Sequence, residues 1–178
     1  MRALPTTIVL PLLCLLAAAP ARAAVVEASP SGFVLEVTAR VAAPPSTVWS
    51  ALGEIGRWWS PEHTWSGDAR HLGISLDAGG CFCERWEGGS VEHARVIHAS
   101  REKLLALRGA LGPLQAMAVT GVLSFQIERG EDGTRILATH RVSGDPSHGL
   151  DNIAPFADAM LVETMGRLKK YLETGQPQ

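Results

Sequence analysis

Residues 33–56 read FVLEVTARVAAPPSTVWSALGEIG, and this stretch decides the fold. Phe33, Leu35, Val37, Ala39 and Val41 alternate with Val34, Glu36, Thr38 and Arg40. A period of two predicts a strand with one apolar face. Ala43-Pro44-Pro45 ends it, because proline has no N–H for a ladder. Ser46-Thr47 can cap a helix, and Val48, Trp49, Leu52 and Ile55 give that helix an apolar stripe. Gly53 and Gly56 weaken its end, so the helix is short, over about residues 46–56.

Downstream, strand-like runs alternate with turn signals. RWWSPEHTWSGD (57–68) is loop or broken helix and holds three of the five tryptophans. His71–Leu76, Gly80–Glu87, Val91–Ala99 and Glu102–Arg108 follow as strands, with Gly79-Gly80 and Gly88-Gly89 as turns. Gly112-Pro113 marks a wide turn before a clean alternation of Met117, Val119, Gly121, Leu123, Phe125 and Ile127. GEDG (130–133) is a hairpin turn, and Arg135–Val142 is the last strand. From Ile153 to Thr174 the period becomes helical, with Ile153, Phe156, Met160, Thr164, Leu168 and Leu172 three or four apart. Pro155 is tolerable in a first turn, and Gly175 is a natural stop. The expected architecture is α+β: a curved antiparallel sheet of about seven strands gripping a long C-terminal helix, with a short helix after the first strand. A sheet that wide exceeds one helix, so curling around the helix leaves a cavity between them.

Upstream, Met1-Arg2 precedes an apolar run from Ile8 to Ala19, and Ala21-Arg22-Ala23 fits a small-x-small cleavage pattern. The run is too short to span a bilayer, which takes about 20 apolar residues. Residues 1–23 are therefore expected to be a signal peptide cleaved near Ala23, residues 24–31 an unstructured lead-in, and residues 32–175 the domain. The product is expected in the periplasm or secreted, with no stable membrane span after processing. The 178-residue chain has 16 basic and 18 acidic residues. Without Arg2 and Arg22 the balance is 14 against 18. A mildly acidic chain with no basic run is a poor match for a phosphate backbone, which excludes nucleic acid as the expected partner.

The pattern resembles a known family. The residues that carry the resemblance are Val41-Ala42-Ala43-Pro44-Pro45-Ser46-Thr47-Val48-Trp49, then Arg57-Trp58-Trp59, then GGCFCERW (79–86) with Gly88-Gly89 after it. The helix ending Gly166-Arg167-Leu168-Lys169-Lys170-Tyr171-Leu172 completes them. Together, over residues 32–174, they resemble the START-like superfamily, the SRPBCC or helix-grip fold. The nearer relatives are polyketide cyclase/dehydrase and lipid-transport proteins and Hsp90-ATPase-activator homologues. The resemblance implies a sheet-and-helix cavity for an apolar small molecule or lipid. It supplies no universal catalytic motif, because the family includes carriers, cyclases, hydrolases and co-chaperones.

The expected pocket residues are Trp58, Trp59 and Trp65 from the loop, Cys81, Cys83, Trp86 and Phe125 from the sheet, and Phe156 and Met160 from the helix. Large rings in a loop either stack on a flat ligand or seal one end of the core. On a regular strand Cys81 and Cys83 share a face with Cα atoms about 6.6 Å apart, near the upper limit for a disulfide. Two small buried thiols, a strained disulfide and a metal or redox role all stay open. No metal set is expected, since zinc takes four ligands or three with water. Glu84 and His93 face each other across a hairpin, as an inward acid–base pair or, more commonly, an outer-face ion pair. His63, Asp68, His140 and His148 are further titratable groups, each more often a surface residue. No nucleophile elbow, metalloprotease, phosphate-loop or dinucleotide motif is present, and no cofactor is expected. Three functions follow: an exported carrier of an apolar ligand, a cyclase, dehydratase or hydrolase using Glu84, His93 or His63, or a protein-interaction module. Oligomeric state is not readable.

Overall fold

The alternating segment that opens at Phe33 is the second strand of an eight-stranded antiparallel sheet. The computed structural model describes residues 23–178; the expected signal peptide, apart from Ala23, lies outside the described residues. The strands are β1 (Ala23–Ser29), β2 (Gly32–Val41), β3 (Leu72–Ile74), β4 (Cys81–Trp86), β5 (Gly89–Ser100), β6 (Leu104–Arg108), β7 (Thr120–Gly130) and β8 (Gly133–Ser143). They lie in the order β1-β2-β8-β7-β6-β5-β4-β3. Hairpins carry β3 through β8 across the sheet, and β8 returns beside β2 from Gly32↔Ser143 to Val41↔Thr134.

The eighth strand is β1. It occupies most of the stretch expected to be an unstructured lead-in. AAVVEAS has no period-two signal, and Val25 and Val26 stay exposed. Its pairing with β2 also breaks register between Val25 and Glu27. An edge strand of this kind is recruited by its neighbour's free N–H and C=O groups, and its own apolar pattern does not announce it.

The short helix α1 (Pro45–Gly53) starts one residue before the expected Ser46. Pro45 holds the first helical position, where its fixed φ suits the helix and its missing N–H would be unpaired anyway. The long helix α2 (Leu150–Thr174) also starts earlier than expected, by three residues. Pro155 therefore lies in the second turn, where it has no N–H to give the Asp151 carbonyl. Gly175, at φ 76°, ends the helix in the left-handed region, with its N–H on the Tyr171 carbonyl at 2.8 Å. Among the described residues no helix is long and apolar enough to cross a membrane.

The helix α2 packs chiefly across β1 and β2. Leu161, Met165 and Leu168 of α2 join Leu35, Val37, Ile136 and Ala138 in one fully buried cluster. Each such large side chain contributes roughly 1.5–3 kcal/mol on burial. The helix thus covers one end of the sheet. The inner face of β4 to β7 is roofed by the 57–68 loop and by a helical turn at Gly112–Met117.

A chain that begins at Gly32 lacks β1 and exposes the free edge of β2. It is expected to lose on the order of 2 kcal/mol of unfolding free energy, with a smaller urea m-value. Urea titration against the chain that begins at Ala24 measures this, and equal midpoints would remove β1 from the stable domain.

Candidate functional site

The loop that carries three tryptophans is built from the inside out. Trp58 is fully buried and gives its indole N–H to the Ala51 carbonyl at 2.7 Å, so it wedges the loop onto α1. Trp59 gives its N–H to the His63 carbonyl at 3.1 Å and sets its ring edge-on to Phe82, centroids 5.4 Å apart. The Arg167 guanidinium of α2 donates to the Trp58 and Trp59 carbonyls at 2.9 and 3.2 Å. His63 reaches Glu163 of α2 at 2.9 Å. Asp68 accepts from the Arg70 N–H and pairs with its guanidinium on the surface, away from any site. Trp65 is 54% exposed, although it also borders the cavity beneath the loop.

The other end of the loop is held by the sheet. Alternation along β4 turns Phe82 and Glu84 inward. On β5 a bulge inserts His93 between the pairs Phe82↔Ala94 and Cys83↔Glu92. The extra residue lets His93 and Ala94 both face the interior, as bulges beside functional sites often do. His93 Nε2 lies 3.0 Å from Glu84 Oε2. Glu84 also accepts the Trp65 N–H at 3.0 Å and the Ser66 N–H at 2.6 Å. The pair is therefore an internal one, and the commoner outer-face arrangement is excluded. Burial would raise the Glu84 pKa, but donors from Ser66, Trp65 and His93 hold it below the ordinary value. Burial lowers the His93 pKa against the opposing pull of Glu84. The resting pair is a carboxylate facing a neutral imidazole.

Between these elements lies a cavity of about 520 Å³. Trp59, His63 and Trp65 line it from the loop, His93 and His140 from the sheet, and Ile153, Phe156, Ala157 and Met160 from α2. Leu111, Pro113, Leu114 and Met117 close it from the Gly112–Met117 turn. The walls are mostly apolar, with a few convergent polar groups, the usual make-up of a small-molecule site. Phe156 stands at the mouth, 77% exposed.

Not every expected pocket residue is there. Trp58 and Phe125 are packed into the core. Trp86 ends β4 and lies over Gly89, where a Cβ would strike its ring. Cys81 and Cys83 alternate against Phe82 and Glu84, so they sit on the opposite face of the sheet. They are joined in a disulfide, with Cα atoms 5.4 Å apart. That spacing is shorter than the roughly 6.6 Å of a regular strand, and of the three readings left open by the sequence it is the disulfide that the structure contains. Glu92 brings a carboxylate to the same face, within 4.8 Å of both sulfurs, but bonded sulfurs offer no thiolate to a metal.

Two features escaped sequence reading. Leu111, Leu114 and Met117 recur every three residues, a two-turn 3-10 signal hidden by Gly112-Pro113. His140, expected at the surface, is buried: it follows Ile136 and Ala138 at the strand period. His148, in the short turn Pro146–His148, is half-buried and lines no part of the cavity.

No protein-family model matches this sequence, and no curated protein matches it. Solved structures do. CalU16 from Micromonospora echinospora is similar at 15% identity and TM-score 0.56, over 83% of this chain and 78% of that one. The Aha1 dimer from Colwellia psychrerythraea is similar at 21% identity and TM-score 0.55, over 80% and 97%. DynU16, from the dynemicin biosynthetic locus, is similar at 21% identity and TM-score 0.54; 81% of this chain covers 48% of that one. At these identities the likeness establishes the fold: an α+β domain with a curved antiparallel sheet and a long C-terminal helix.

Replacing Glu84 by Gln leaves one loop N–H facing an amide NH2. This is expected to cost about 2 kcal/mol and to raise hydrogen exchange over residues 59–68, read by mass spectrometry. The histidines set a pH response. Burial pushes the His140 pKa down to about 4 from 6.5. Below pH 6.5 the unfolded chain takes up a proton that the folded protein refuses. Stability is full above that pH and falls as pH drops towards 4, by about 3 kcal/mol for His140 alone. Glu84, with its lowered pKa, adds a loss of the same sign at lower pH. Urea midpoints between pH 7 and pH 4 check this, and His140→Leu should flatten the curve.

Proposed function

We propose that this chain is an exported START-like protein that holds an apolar small molecule or lipid in the cavity between sheet and helix. The observation that carries this reading is the 520 Å³ apolar cavity with Trp59, Trp65 and Phe156 around it. A void of that size in a domain this small forfeits packing that side chains would otherwise supply, and a ligand restores it. Export is supported by the residue 1–23 pattern and by the Cys81–Cys83 disulfide, a bond at home in an oxidising compartment. The structural likenesses to CalU16 and Aha1 support START-like membership through the fold.

One observation favours a second reading, an enzyme such as a cyclase, dehydratase or hydrolase. Glu84 orients His93 at the cavity wall, the arrangement in which a carboxylate fixes the tautomer of a general base. His93→Asn would then abolish turnover while leaving ligand affinity within a few-fold.

Native mass spectrometry of the protein purified from an exporting host tests the main reading. An added mass of an apolar molecule and a start near Ala24 are expected. Ala157→Trp, which fills the cavity from α2, should fold normally and lose the added mass. A ligand retained by Ala157→Trp would place binding elsewhere, and an unprocessed N-terminus would end the export reading.

A further inference from the structure

The Cys81–Cys83 disulfide ties together nothing that β4 does not already join. Its cysteines are two residues apart, so the loop it closes lies within one strand. The chain entropy that a disulfide removes from the unfolded state grows with loop length and is least for a loop this short. Both cysteines lie outside the hydrophobic core cluster and outside the cavity lining. The bond therefore serves neither the fold nor the pocket in any large measure.

The bulge that turns His93 inward also sets what faces the sulfurs. Cys81 pairs with Arg95 and Phe82 with Ala94, but beyond the bulge Cys83 pairs with Glu92. Without the extra residue Cys83 would stand opposite His93, and Glu92 would turn inward opposite Glu84. The bulge instead puts the Glu92 carboxylate on the outer face, across from Cys83. Arg95 holds that carboxylate through Oε2 and gives a second guanidinium N–H to the Gly79 carbonyl at 3.1 Å. The two sulfurs and a Glu92 oxygen all lie within 4.8 Å of one another. On its other side Cys83 faces Gly73 of β3, where a Cβ would meet nothing within 4 Å. The three groups grade from buried Cys83 through half-buried Cys81 to exposed Glu92, so solvent reaches the set from one side.

Once the sulfurs are free, that arrangement suits a metal ion. Two thiolates and a carboxylate this close repel one another, and a divalent cation removes the repulsion. Zinc accepts two soft sulfurs with one oxygen, and the solvent side leaves room for water as the fourth ligand. We propose that the reduced form of this chain binds one Zn2+ through Cys81, Cys83 and Glu92, and that forming the disulfide switches the site off. A thiol reductant opens it: two RSH give RSSR and two cysteine thiols, and each thiol loses its proton as zinc binds. A disulfide oxidant reverses this, re-forming the Cys81–Cys83 bond and expelling the ion. In an oxidising compartment the bonded form is the resting one, and zinc is taken up where thiols are supplied. Arg95 is a positioning residue that holds Glu92 beside the sulfurs. The set shares no residue with the cavity, so it stands or falls independently of the apolar-ligand reading.

The test is zinc titration of the mature chain against a chromophoric chelator, before and after reduction with a phosphine that leaves no competing thiol. One zinc per reduced chain is expected, and none for the oxidised chain at the same concentrations. Cobalt in place of zinc should give the near-ultraviolet absorption of a thiolate–metal bond. Cys81→Ser and Cys83→Ser should each abolish binding. Glu92→Gln should weaken it by at least about tenfold, since losing a group that merely supports a metal ligand costs that much. Equal zinc binding before and after reduction, or an affinity that Glu92→Gln leaves unchanged, overturns the proposal. Should reduction loosen the fold, urea midpoints decide. Zinc is expected to raise the midpoint of the reduced chain and to leave that of Cys83→Ser where it was, and no rise overturns the proposal.

Discussion

A buried carboxylate that accepts three hydrogen bonds holds the site together. Glu84 sits at the inner face of β4 without solvent contact, where an isolated charge would be costly. The backbone N–H groups of Trp65 and Ser66 and the ring of His93 replace the water it has lost. The same bonds pin the far end of the tryptophan loop to the sheet. Its near end is pinned to α2 by Arg167 and by the His63–Glu163 contact. The cavity therefore has a roof fixed at both edges, and its walls belong to elements that the hydrophobic core already holds in place.

The cavity follows from geometry. One helix cannot cover eight strands, and α2 spends its most buried residues, Leu161, Met165 and Leu168, on the β2 side. The remaining inner face is covered by short irregular segments, which cannot pack as densely as a helix. Backbone proximity also helps: Gly109 and Gly121 let neighbouring strands approach where a Cβ would strike a carbonyl. Among the described residues the lining of the cavity includes His93 and His140 and no Lys or Arg.

CalU16, DynU16 and Aha1 share the sheet-and-helix frame at 15–21% identity. A frame of this kind hosts different activities, and its residue-level chemistry has to be found in each chain separately. Here the titratable groups buried on the inner face of the sheet are Glu84, His93 and His140. The disulfide of Cys81 and Cys83 braces the other face of the strand that carries Glu84, so it touches the site only through the backbone.

Much of this was readable from residue order. Period-two alternation in 33–41, 121–127 and 135–142 and period-3.6 spacing in 153–174 are local consequences of backbone geometry, so they determine strands, helix and fold class; the alternation expected to begin at Met117 begins at Thr120 instead, because Gly112–Met117 is a helical turn and Ala118 is left-handed at φ 52°. The same period, followed from Ile136 through Ala138, carries the signal for the inward His140 that the surface expectation overlooks. Other features depend on what lies across the sheet. β1 has no pattern of its own and exists because β2 has an unpaired edge. His93 faces the cavity because β5 carries one residue more than β4 can pair, and a bulge leaves no periodic mark in either strand. Glu84 is buried because a loop about 20 residues earlier brings two N–H groups to it. Local periodicity is a property of one segment, whereas register and burial are properties of two, and only the tertiary structure brings the two together.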